Sequence, residues 1–126
     1  MRQALFTAAL LCGVLVAPLT VMGHHGYSAF DKNKEVTFDA TVVVFHFTNP
    51  HSVIEFEAKT GGEVRKWEAE LGSRIQLSQH GWKATTIEPG TKLTISGYPA
   101  KNGSPSIWAT KILDSGGKEI KITREN

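Results

Sequence analysis

The chain has 126 residues, room for one small domain, and its 14 basic against 12 acidic side chains leave a formal charge of only +2. That balance supplies no broad field for gripping nucleic acid or an anionic membrane surface. A single cysteine, Cys12, rules out an internal disulfide framework.

In chain order, the first element is a segment for export. Arg2 precedes an apolar stretch from Ala4 to Val16 that carries no charge, Pro18 breaks it, and Val21 and Gly23 stand at positions −3 and −1 of a cut after Gly23. The stretch is shorter than the roughly 20 residues a spanning helix needs. We therefore expect residues 1–23 to be a signal peptide and the mature chain to begin at His24, with no membrane anchor after cleavage and a periplasmic or secreted location. Leu11 before Cys12 is not a small residue, which argues against lipidation. Cleavage removes the cysteine and, among the charges, only Arg2. A short arm with paired histidines, residues 24–34, then leads into a domain spanning 35–126.

Within that domain the pattern has mostly period two. Val36, Phe38, Ala40, Val42 and Val44 alternate with polar residues, after which Val43, Phe45 and Phe47 make the second face apolar too. This predicts one long strand over Val36 to Phe47, half-buried first and fully buried later. Thr48-Asn49-Pro50 ends it. Val53 to Ala58 is a second strand with Ile54 and Phe56 on one face and Glu55 and Glu57 on the other. Thr60-Gly61-Gly62 closes a hairpin, and Arg65, Trp67, Ala69 and Leu71 mark a third strand.

The period then changes. Ser73 followed by Gln76 is a capping box for a short helix reaching about His80, with Gly81 as its stop. Beyond the Pro89-Gly90 turn, Leu93, Ile95 and Gly97 form the inner face of a fourth strand. Ile107 to Leu113 is a fifth, and Glu119 to Thr123 a candidate sixth. Three strands, a helix and two strands is the order of an OB-fold. The predicted class is all-β with one short helix, a small OB-fold-like barrel of five to six strands; an open β-sandwich is the competing arrangement.

Several motifs recur together. His24-His25-Gly26 followed by Ala29-Phe30-Asp31, then Thr48-Asn49-Pro50-His51, Glu70-Leu71-Gly72-Ser73, Gly81-Trp82, and Gly97-Tyr98-Pro99-Ala100-Lys101-Asn102-Gly103-Ser104 resemble a family of small exported bacterial proteins catalogued only as a domain of unknown function. The resemblance covers nearly all of the mature chain. It departs where the family reads HHS and this chain has Gly26, with Ser28 two positions on. It implies a compartment and a fold and leaves the activity open.

Histidine placement is the chemical feature that stands out. His24, His25, His46, His51 and His80 are the five imidazoles, and neutral imidazole suits copper, zinc or nickel. A chain beginning at His24 offers its α-amine and ring nitrogen to one ion, with His25 adding a second ring. Nitrogen donors without cysteine favour copper over a structural zinc knot. We expect a copper site built from His24 and His25, with His51 and His46 as further ligands. The competing assignments are a turn role for His51, a hydrogen-bonded core position for His46, and a helix-terminal one for His80. Asp31 reads either as an acceptor that orients an imidazole or as the cap of a turn before Asn33.

Catalysis has weaker support. A Gly-rich phosphate loop, an HExxH helix, a nucleophile elbow and a cysteine nucleophile are all missing, and Glu55, Glu57, Glu68 and Glu70 fall on the outward phase of their strands, as a solvated face does. The rival to metal binding is a periplasmic module for a protein or small molecule. Trp82, Tyr98 and Trp108 are its candidate stacking residues, and Tyr98-Pro99 or Trp108 its candidate apolar docking patch. Trp67 is in phase with the core.

Overall fold

The computed structural model describes residues 26–122. The expected signal peptide and the His24-His25 pair lie outside the described residues. Five strands, β1 (Val36–His46), β2 (Val53–Thr60), β3 (Glu63–Glu70), β4 (Lys92–Pro99) and β5 (Ser106–Leu113), close into a barrel in the cyclic order β1-β2-β3-β5-β4, with the helix α1 (Arg74–Ser78) between β3 and β4. That is the OB arrangement, and closure excludes the open sandwich. All neighbours are antiparallel except β3 and β5, which run parallel through Glu68↔Ser106, Ala69↔Ile107 and Glu70↔Trp108.

The alternation places the core where it was expected. Ile54, Phe56 and Ala58 of β2, Leu93 and Ile95 of β4, and Ile107, Ala109 and Ile112 of β5 all point inward and are buried. Each large side chain so enclosed contributes about 1.5–3 kcal/mol of hydrophobic stabilisation. Leu77 of α1 seals the same core. The helix starts as the capping box demands: the Gln76 amide donates to Ser73 Oγ at 3.1 Å and the Ser73 amide to Gln76 Oε1 at 3.0 Å. These two bonds satisfy amides that the first turn would otherwise leave unpaired.

Three expectations are corrected. First, β1 does not keep one phase. Val42 pairs with Phe56, but Val44 pairs with Glu55, so Val43 is an extra residue that bulges out of the ladder. One inserted residue exchanges the two faces of a strand. From there Phe45 and Phe47 turn to the core, while His46 turns outward instead of continuing the buried row. Second, Trp82 is no stacking platform. It is buried, packs edge-on against Phe45 at 5.5 Å, and its indole N–H donates to the Lys121 carbonyl at 2.8 Å. Third, a sixth strand does not form over the described part of 119–123; a single bridge, Leu113↔Glu119, stands in its place.

Candidate functional site

Outside the barrel, the chain before β1 builds a second cluster. Residues Tyr27–Ala29 make one 3-10 turn, Phe30 bridges Ala100, the Asp31 amide donates to the Pro99 carbonyl at 2.8 Å, and the Lys101 amide donates to the Ala29 carbonyl at 2.9 Å. Lys101 Nζ caps the turn from outside by donating to the Ser28 carbonyl at 2.8 Å. The arm is thus stitched along the β4–β5 turn by backbone pairing and needs no covalent fastening.

This stitching covers the apolar residues on the outer face of β4 and β5. Phe30 is only 1% exposed. Its ring lies 6.0 Å from that of Trp108, and the Tyr27 ring meets Trp108 at 5.2 Å and Tyr98 at 6.3 Å. The patch at Tyr98-Pro99 and Trp108 therefore already has an occupant in the same chain. Lys32 Nζ sits 3.8 Å over the Tyr27 ring and adds a cation–π contact.

His51 packs on the same indole. The Thr48-Asn49-Pro50-His51 loop contains a cis Asn49–Pro50 peptide and is anchored by the buried Ser52, whose hydroxyl donates to the Thr48 carbonyl at 3.2 Å and accepts from the Thr48 amide at 3.3 Å. The Ser52 amide donates to the Gly72 carbonyl, and the Leu71 amide to the Ser52 carbonyl, so the β2–β3 ladder continues into the loop. This fixes His51 beside Glu70 at the end of β3. Its ring stands edge-on to Trp108, with centroids 5.3 Å apart and planes at 89°. Its Nδ1 lies 3.5 Å from Glu70 Oε2, with side-chain exposures of 26% for His51 and 17% for Glu70.

Of the expected ligands, His51 and His46 lie among the described residues, and each has its own neighbours. His46 pairs instead with Glu55, Nε2 to Oε1 at 2.6 Å, on the outer face of β1 and β2, and its side chain is 49% exposed. His80 lines another surface depression with Gln76, Gln79 and Trp108. His24 and His25 lie outside the described residues. Among the described residues, no three histidine, cysteine, aspartate or glutamate side chains converge as a metal-binding group. Asp31 is a turn residue: its Oδ1 accepts from the Asn33 amide at 3.1 Å. Glu70 is the residue that sequence reasoning missed. Its outward phase suggested a solvated carboxylate, yet the arm-covered Trp108 on one side and the His51 loop on the other leave it largely enclosed. The only signal was its place in the Glu70-Leu71-Gly72-Ser73 motif.

A separate groove of about 280 Å³ lies along β2 and β3, lined by Val43, Glu55, Phe56, Lys66, Trp67 and Glu68 together with Ser104 to Ser106, so that it meets residues of both faces of the sheet. The Trp67 indole N–H is buried without a hydrogen-bond partner among the described residues. No helix among the described residues is long and apolar enough to cross a membrane.

Comparison with known proteins returns one result. The model of a family of unknown function (DUF6152) matches residues 11–107, most of the chain, and the chain belongs to that family. No curated protein and no solved structure matches it.

Proposed function

We propose that this member of the family is an exported β-barrel that binds a transition-metal ion, copper(II) foremost, through the α-amine and imidazoles at a mature N-terminus beginning with His24, with His51 as the ligand supplied by the barrel. One observation carries the reading: the arm that bears the histidine pair and the loop that bears His51 pack on the same indole, Trp108. Consecutive Cα atoms are ~3.8 Å apart, so His25 and His24 start within about 4 and 8 Å of Gly26. The anchored arm thereby raises the effective concentration of terminal nitrogens around His51 and lowers the entropic cost of a site drawn from two distant parts of the chain. His46, paired with Glu55, is left out of the ligand set.

The test has two parts. Intact-mass measurement of the exported protein should give a chain starting at His24; a start upstream of Gly23 or beyond His25 rejects the terminal chelate. Copper(II) titration at pH 7.5 then compares the mature form, a form extended at its N-terminus, and His51→Ala. Extension and His51→Ala are each expected to weaken binding tenfold or more, about 1.4 kcal/mol per decade. Equal affinity for all three forms rejects the proposal.

A second reading rests on the groove over β2 and β3. Its mixed Glu55, Lys66 and Glu68 lining suits a polar small molecule or peptide bound independently of metal, on the strands that OB barrels commonly use. If no form of the protein binds copper more tightly than micromolar, this reading replaces the first.

A further inference from the structure

His51 has two ring nitrogens, and only one of them can be a metal donor while the other keeps its proton. The structure distinguishes them. Nδ1 faces Glu70 Oε2 at 3.5 Å, while Nε2 lies across the ring from that carboxylate. A neutral imidazole with its lone pair on Nδ1 would set that lone pair toward a carboxylate oxygen; the other tautomer sets an N–H on that side, 3.5 Å away, as an electrostatic contact longer than a good hydrogen bond. Both side chains are mostly covered, which strengthens the electrostatic preference. The ring also packs against Trp108, with the two planes nearly perpendicular.

We infer that Glu70 is a positioning residue that keeps the proton of neutral His51 on Nδ1 and so presents Nε2 as the donor. This rests on the reading of His51 as a ligand, and it assigns that ligand's donor atom and orientation. Carboxylates behind metal-binding histidines act in this way generally, and losing one typically weakens metal binding 10–100-fold. The register Glu70↔Trp108 ties the two halves of the device together: the strand pairing that places the carboxylate also places the indole against which the ring rests.

Nitrogen-15 NMR of the metal-free mature protein reads the tautomer directly and does not depend on copper. Wild type should show His51 protonated at Nδ1, and Glu70→Ala should move the population toward the Nε2–H form. Glu70→Gln keeps the size of the side chain and an acceptor oxygen without the charge. It should give an intermediate population and guard against misreading a folding defect. A wild-type His51 protonated at Nε2, or a tautomer indifferent to both substitutions, overturns the inference whatever copper does. Copper(II) titration then adds a double-mutant cycle. Glu70→Ala should weaken binding at least tenfold in the wild-type background and have no further effect in His51→Ala. A loss of the same size in both backgrounds would make Glu70 act independently of His51 and also overturns the inference. If His51→Ala alone leaves affinity unchanged, the failure belongs to His51 as a ligand, and the NMR result still decides the tautomer.

Discussion

The inside of the barrel and the cluster on its outer wall are both rich in large apolar side chains, but they are built differently. Inside, Ile54, Phe56, Ile95 and Ile112 come from strands that pair with their neighbours in the sheet and are fully enclosed. Outside, Tyr27, Phe30, Tyr98, Trp108 and His51 come from an arm, a loop and the backs of two strands, and of these Phe30 alone is buried while the others keep some exposure. The inner set specifies the fold. The outer set brings Tyr27 of the arm and His51 of the loop onto one indole, which is the arrangement the proposed site requires.

Four substitutions sharpen that contrast, beginning with the largest effect. Phe56→Ala empties the centre of the inner core and should cost about 3–5 kcal/mol in urea unfolding; a smaller loss than that of any outer residue would erase the distinction. Gly97→Ala acts where the two regions touch. A Cβ there would stand 2.4 Å from the Trp108 carbonyl oxygen and 2.9 Å from its carbon, so β4 would have to move off β5. Its expected cost is about 1–3 kcal/mol, accompanied by shifted Trp108 resonances. Phe30→Ala should cost about 0.5–3 kcal/mol, with the loss localised. Amides of Asp31 and Lys101, which pair the arm to the barrel, should exchange faster while those of β2 keep their protection. Uniform loss of protection would make the arm part of the core. Ser73→Ala removes one capping bond of α1 and should cost about 1 kcal/mol in thermal unfolding without altering the outer cluster.

The same contrast marks what the sequence discloses. Interior strands obey local rules: Ile54 and Phe56 alternate with Glu55 and Glu57, and Ser73 with Gln76 announces the helix, because these signals arise between residues a few positions apart. The Val43 bulge also left a trace in the second apolar row at Phe45 and Phe47. Period two alone does not say whether such a strand is buried on both faces or changes face, so the competing core position for His46 could not be excluded from sequence. Trp82 carries no local signal for its bond to the Lys121 carbonyl, and Trp67 and Trp108, both in strands, differ only in phase. The outer cluster is not legible at all from local pattern. Phe30 and Trp108 are near opposite ends of the domain, and the parallel pairing of β3 with β5 that brings Glu70 to Trp108 is a property of closure. Of the proposed site, the histidines are visible in the sequence as residues of suitable chemistry, whereas the placement of Glu70 beside His51 and the pairing of His46 with Glu55 are not.

Paramagnetic broadening by copper(II) in NMR spectra of the mature protein tests the central claim most directly, because it reports where the ion sits. At substoichiometric copper, the signals of His51, Trp108 and Tyr27 should disappear first. Those of Gly61 and Gly62 should persist, since they cap the far end of a β2–β3 hairpin that rises about 3.3 Å per residue from Val53. Broadening centred on His46 and Glu55, or broadening that spares Trp108, would contradict the account.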